Sequence, residues 1–100
     1  MSAALTHEEF SKHLNTKFRI QISETETVDA ELTEVSEQLL SPRQERFSIL
    51  FRTSNDIFLG QGMRRLEHNQ MGAFDLFLVP IGRDEAGTSY ESVFNRIVNK

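Results

Sequence analysis

Apolar and polar residues along this chain change period several times, and each change marks the border of an element. Leu5 and Phe10 flank Thr6-His7-Glu8-Glu9, which fits a capping box: the Thr6 hydroxyl accepts from the Glu9 amide, and the Glu9 carboxylate reaches back to the Thr6 amide. Leu5 and Phe10 stand where a hydrophobic staple places them, and Leu14 lies one turn beyond Phe10. The pattern predicts a short helix from about His7 to Leu14, ended by Asn15. So short a helix holds only when it lies on something else.

The period then becomes two. Phe18, Ile20 and Ile22 alternate with Lys17, Arg19 and Gln21, the pattern of a strand with one buried and one wet face. Polar Ser23 to Thr27 reads as a hairpin loop. Val28, Ala30 and Leu32 continue on one face of a second strand until Val35 breaks the parity, which predicts a bulge near Thr33. Leu39 to Arg46, with Pro42 among polar residues, reads as a mobile connection. Phe47, Ile49 and Phe51 mark a third strand, and Ser54-Asn55-Asp56 is turn chemistry.

Ile57-Phe58-Leu59 is a short apolar segment ending at Gly60-Gln61-Gly62, whose glycines suggest backbone angles other residues resist, or close approach of another segment. Met63 to His68 is the fourth strand, with a turn from Asn69 to Gly72. Ala73 to Ile81 is apolar on both faces, Phe74, Leu76 and Leu78 on one and Phe77, Val79 and Ile81 on the other, as in a strand covered on both sides. Pro80 has no amide hydrogen for a ladder and belongs at a sheet edge or a strand's end.

Gly82 to Ser89 reads as a charged loop. Tyr90, Val93, Phe94 and Ile97 fall at helical spacing, yet the short strands before them need a last member to close the sheet, so residues 90–97 are read as a sixth strand, with a short helix as the alternative. The whole predicts a single domain over residues 1–100, mainly β: a small antiparallel six-stranded barrel or sandwich with a short N-terminal α-helix, closure removing exposed edges.

Composition narrows the function classes. One hundred residues, 38% of them hydrophobic, supply one core without staples, and with no cysteine there is neither a disulfide nor a thiolate metal site. The net charge of −4 is spread evenly and argues against nucleic acid. Arg64 and Arg65, the nearest thing to a basic cluster, point to opposite faces of a strand. Phe58 and Phe77 would serve as stacking platforms on an open sheet, but they lack basic neighbours. No apolar run approaches the roughly 20 residues of a membrane helix, and no basic region precedes an apolar stretch at the N-terminus. The expectation is a cytoplasmic protein that binds neither membrane nor nucleic acid, with export by a route without a cleaved signal left open.

Candidate chemistry is sparse. His7 and His13 are six residues apart, about 120° from a shared helical face, and His68 has no second histidine at a ligand spacing. Glu24 and Glu26 lie in a loop, while Glu31, Glu34 and Glu37 lie on or just after a wet strand face. Asp75 interrupts an apolar strand and, if buried, needs a partner such as Arg52 or Arg65. Gly60-Gln61-Gly62 lacks the length and lysine of a phosphate loop, and the acidic residues of Gly82-Arg83-Asp84-Glu85-Ala86-Gly87 are adjacent where a calcium loop alternates them. No catalytic residue, metal site or cofactor is assigned.

The blocks Phe47-Ser48-Ile49-Leu50-Phe51-Arg52, Leu59-Gly60-Gln61-Gly62, Leu66-Glu67-His68, Leu76 to Arg83 and Tyr90-Glu91-Ser92-Val93-Phe94-Asn95, with Leu5, Phe10 and Phe18, resemble an uncharacterised bacterial family catalogued only as a domain of unknown function. The resemblance covers nearly the whole chain. It departs at Gly60, where proline is commoner, and at Arg64, where an aromatic residue is usual. It implies no activity, and points only towards an accessory role in a phage-tail-like or fibre assembly.

The favoured expectation is therefore a non-enzymatic interaction module. Its second apolar face, Ile57, Phe58, Leu59, Phe77, Val79 and Ile81, packs on another protein or on a second copy of the chain. An apolar-ligand carrier requires a cavity inside the barrel, and a small enzyme requires Arg52, Arg65, His68 and Asp75 in one cleft.

Overall fold

A computed structural model describes residues 5–97. Their order is α1 (His7–Lys12), β1 (Lys17–Gln21), β2 (Thr27–Val35), β3 (Leu39–Ser41), β4 (Gln44–Thr53), β5 (Gly62–His68), β6 (Gly72–Asp84) and β7 (Gly87–Ile97). The strands adjoin in the order β2-β1-β5-β6-β7-β4, and β2 pairs with β4 to close a six-stranded antiparallel barrel; β3 is an extra strand on β4. Alternation explains the inside. Phe18 and Ile20, Ala30 and Leu32, Phe47, Ile49 and Phe51, Leu66, the set Phe74, Leu76 and Leu78, and Tyr90 all turn inward and are buried.

The helix is shorter than its sequence pattern suggests. It stops at Lys12, leaving Leu14 exposed, and Asn15 takes up the positive φ of 66° that turns the chain into β1. Half of the capping box forms: the Glu9 amide donates to Thr6 Oγ1 at 3.1 Å, while the Glu9 carboxylate pairs forward with Lys12 at 3.2 Å. Phe10 carries the helix's packing. It is fully buried against Phe74 of β6 and Phe94 of β7, with ring centroids 6.0 and 5.4 Å away. Backbone pairing explains the plug: β6 pairs with β5 through Leu78 and with β7 only from Val79 onward, so the far half of β7 lacks a ladder partner on that side. The Phe10 side chain of α1 fills the gap there.

The other end is closed by residues 54–61. The Tyr90 hydroxyl accepts from the Leu59 amide at 2.8 Å, and Thr88 Oγ1 donates to the Ile57 carbonyl at 3.0 Å. Both anchors sit on β7, so this irregular segment has its polar groups satisfied from inside the barrel.

The predicted bulge is present, between Leu32 and Glu34 in the β2–β4 ladder. Other expectations need correction. Leu39 to Arg46 is no loose connection but a hairpin, β3 and the start of β4, turning through Pro42 and Arg43. Gly82 to Ser89 is likewise mostly ladder, with a two-residue turn at Glu85-Ala86 where Asp84 Oδ1 accepts from the Ala86 and Gly87 amides at 2.8 and 3.2 Å. Residues 90–97, by contrast, are the last strand that closing the sheet requires: Tyr90 and Ser92 are buried while Val93 is exposed, so the helical spacing of the apolar residues is coincidental. Pro80 lies past the last β5–β6 pair, where β6 has only β7 beside it, next to a register shift between Pro80 and Gly82.

Glycine strain falls elsewhere than expected. A Cβ on Gly60 or Gly62 meets nothing, and neither has positive φ. At Gly87, with φ of 149°, a Cβ would stand 2.0 Å from the Thr53 carbonyl oxygen.

Candidate interaction surface

His7 and His68 are engaged in the fold's own hydrogen bonds. The barrel brings His13, just past α1, against His68 at the end of β5, ring centroids 4.5 Å apart, a meeting that separate spacings on helix and strand do not reveal. His68 Nδ1 accepts from the amides of Gln70 (3.0 Å) and Met71 (3.3 Å), which leaves the proton on Nε2, facing Thr16 Oγ1 at 3.0 Å. Thr16 Oγ1 in turn donates to the His13 carbonyl. Burial, then the nearby His13 and Arg19, hold the His68 pKa below its ordinary value of 6.5. Both ring nitrogens are engaged, so His68 is a neutral strut beneath the β5–β6 turn. His7 meanwhile hydrogen-bonds the Ser36 carbonyl at 2.8 Å and meets Phe47 edge-on. No group of three metal-ligating side chains exists among the described residues.

The four groups of the enzyme reading diverge. His68 is interior, whereas Arg65 and Asp75 project from the outer wall as a cross-strand pair at 3.6 Å, and Arg52 is exposed on β4. Asp75 thus has one of its two anticipated partners but is exposed, not buried. Arg64 separates from Arg65 as strand parity requires, its Nη2 donating to the Gly60 carbonyl at 3.0 Å.

Ion pairs between neighbouring strands occupy much of the outer wall: Arg19 with Glu67, Arg65 with Asp75, and Lys17 with Asp29. Against this background one rung is apolar. Met63 of β5 faces Phe77 of β6 across the ladder, and they are 63% and 45% exposed. Val79 comes next on the same face, half-buried, opposite Glu91, and exposed Ile81 lies at the register shift. The expectation that this strand is covered on both faces is therefore corrected: Phe74, Leu76 and Leu78 are buried, and the face bearing Phe77 is open to solvent.

The six anticipated contact residues separate into two places. Phe77, Val79 and Ile81 belong to this open face. Ile57 and Leu59 are half-buried and tied to β7, and Leu59 packs on the core. Phe58 points out at the barrel's end, its ring 6.0 Å from the Arg83 guanidinium, which hydrogen-bonds the Asn55 carbonyl. Sequence reasoning misses Met63, although its odd-numbered parity with Arg65, opposite to buried Leu66 and His68, places it outside. Grooves of about 310 and 200 Å³ lie outside the barrel against β3, lined by Leu39 and Arg46 among others, while the interior that an apolar ligand would need is filled with side chains.

The profile of one family, described as Domain of unknown function (DUF6916), matches residues 5–94, from the staple residue ahead of α1 to the Phe94 that packs on Phe10. The chain belongs to this family. The DUF6916 match takes in the helical plug and the barrel strands together, so the family's unit is the closed barrel with its plug. No curated protein and no solved structure matches the chain significantly. Among the described residues no helix is long and apolar enough to cross a membrane.

Proposed function

We propose that this DUF6916 barrel is a non-enzymatic protein-interaction module that uses its outer wall around Met63 and Phe77. The supporting observation is the apolar rung itself: two large flexible or aromatic side chains, directly opposed and open to solvent, on a wall otherwise laced with ion pairs. Covering a side chain of that size contributes about 1.5–3 kcal/mol, and aromatic and methionine residues are the types enriched in interface centres. The partner is another protein, and a structural accessory role in a phage-tail-like or fibre assembly is the setting towards which the family resemblance points.

A photoreactive phenylalanine analogue at position 77, with one at Asp29 on the charged wall as control, tests this in cells of the native host. A discrete adduct from position 77 alone, to a protein whose purified form binds the wild type but not the folded Met63→Ser/Phe77→Ser variant, supports the reading. Equal or no cross-linking at the two positions, or unchanged binding by the double variant, overturns it.

A further inference from the structure

The extra strand β3 lies outside the closed barrel. It runs along the outer end of β4 as the continuation of β2, tied back by the Ser36 amide to the Ser48 carbonyl and by the Ser48 amide to Ser36 Oγ, both at 2.8 Å. With the adjoining ends of β4 and β7, where Gln44 pairs with Ile97, it forms a tongue beyond the barrel of a molecule 44 Å long but only 31 by 23 Å across.

The far side of β3 has no neighbouring strand among the described residues. Ser41 and Gln44 close a two-residue turn, so they exchange both backbone hydrogen bonds, and the next pair, Leu40 with Glu45, is of the wide kind. The Leu40 N–H and C=O therefore face the open edge. Such edges are usually blunted by charge, by proline or by shortness; β3 is three residues long with Pro42 and Arg43 in the turn beyond it, but its own residues carry neither charge nor proline. Here the centre is Leu39-Leu40, 58% and 68% exposed.

We propose that this edge pairs with the same edge of a second copy, antiparallel, about a twofold axis at Leu40. Three features select a copy of the chain as occupant. An outward-facing residue on the axis exchanges its N–H and C=O with its own counterpart, the arrangement an isologous contact requires. The shared ladder is confined to Leu39–Ser41, because Pro42 has no N–H to extend it, and beyond the ladder the charges match: Glu37, which leads into β3, lies towards Arg43, in the turn that follows β3, of the other copy, at both ends of the contact. Glu37 and Arg43 are both exposed and neither takes part in an ion pair among the described residues, so their charges are available. The pairing extends β7-β4-β3 of one copy through β3 of the next. Only a short strand is shared, well below the roughly 1,000 Å² of a firm interface, so the dimer is weak and reversible.

Sedimentation velocity over a concentration series tests this, with circular dichroism confirming the fold of each variant. Wild type dimerises reversibly. Glu37→Arg or Arg43→Glu sets like charges opposite one another at both ends and weakens the dimer by about tenfold, less at high salt. The double variant restores the constant to within about threefold, since opposite charges again face each other, and Leu40→Lys abolishes association. Met63→Ser/Phe77→Ser leaves the dimer intact, which separates this contact from the proposed interaction surface. A wild type that stays monomeric throughout, single reversals without effect, a double reversal without rescue, or a dimer that depends on Phe77 each overturns the proposal.

Discussion

Gly87→Ala adds a methyl group for which this barrel has no room. Gly87 opens β7 with φ of 149°, a region open to glycine and strained for any L side chain, at a cost of about 1–3 kcal/mol. The added Cβ would also stand 2.0 Å from the Thr53 carbonyl oxygen and 2.9 Å from Arg52 Cγ. The arginine side chain can swing aside, but the carbonyl belongs to β4 at the Thr53–Thr88 pair, and moving it opens the last rung of the β4–β7 ladder. A buried backbone group left without its partner costs about another 1–3 kcal/mol. The sum, about 2–6 kcal/mol, is a large share of the roughly 5–15 kcal/mol that holds a domain together. At about 4–8 °C per kcal/mol it lowers the melting temperature by roughly 10–50 °C. Urea unfolding followed by circular dichroism measures the loss directly. Gly60→Ala and Gly82→Ala are the controls, since a Cβ meets nothing at either site and neither has positive φ; each should lie within about 1 kcal/mol of wild type. A Gly87→Ala loss below about 1 kcal/mol, or an equal loss in a control, would refute the reasoning.

Removing the plug should be nearly as costly: Phe10→Ala leaves Phe74 and Phe94 facing a void, and a loss of about 3–5 kcal/mol is expected in the same urea assay. Tyr90→Phe removes the acceptor for the Leu59 amide, so a loss of about 1 kcal/mol with faster amide exchange at Leu59 is expected by hydrogen-exchange NMR. Acid should act through His68. Its folded pKa is lowered, so as pH falls below about 6.5 the unfolded chain takes up a proton that the folded chain refuses, and stability declines until the folded pKa is reached, with no contribution above that window. His68→Gln should flatten this decline between pH 7 and roughly 5, before carboxylates dominate; an unchanged slope in urea titrations at several pH values would count against the strut role.

Strand alternation made most of the barrel legible, because each wall residue obeys one binary choice, inside or outside. Phe18 and Ile20, Phe47 to Phe51, and Phe74 to Leu78 obey it without exception. Even the Thr33 bulge was readable, since an inserted residue inverts parity visibly at Val35. The failures share a cause. Leu39-Leu40-Ser41 is exposed on both faces, and Gly82 to Ser89 buries only Gly87 and Thr88, neither of them a large apolar residue, so no apolar alternation remains to report the strand. Tyr90 to Ile97 was ambiguous between strand and helix for the related reason that its outer half leaves the barrel. Val93 and Ile97 are apolar without being inside, and they add a false helical period to the true one of Tyr90 and Ser92.

The candidate surface obeys the same logic, because the residues that alternation leaves over once the core is filled make up the outer wall. Apolar residues on both faces of β6 were visible, but parity cannot say whether the second face is covered, and in the folded chain it is not. Ile57 and Leu59 lie outside any ladder, so their burial depended on Thr88 and Tyr90, partners about 31 residues away that no local pattern announces. Met63 was the opposite case. Its position opposite Phe77 comes from ladder register alone, and register was fixed by a turn, Asn69 to Met71, held from beneath by His68. A histidine that looked like possible chemistry thus sets which two apolar side chains meet on the outside. Loosening that turn should blur the Met63–Phe77 rung even if the core survives, so His68→Ala should weaken binding to whatever protein position 77 captures, without altering any contact residue.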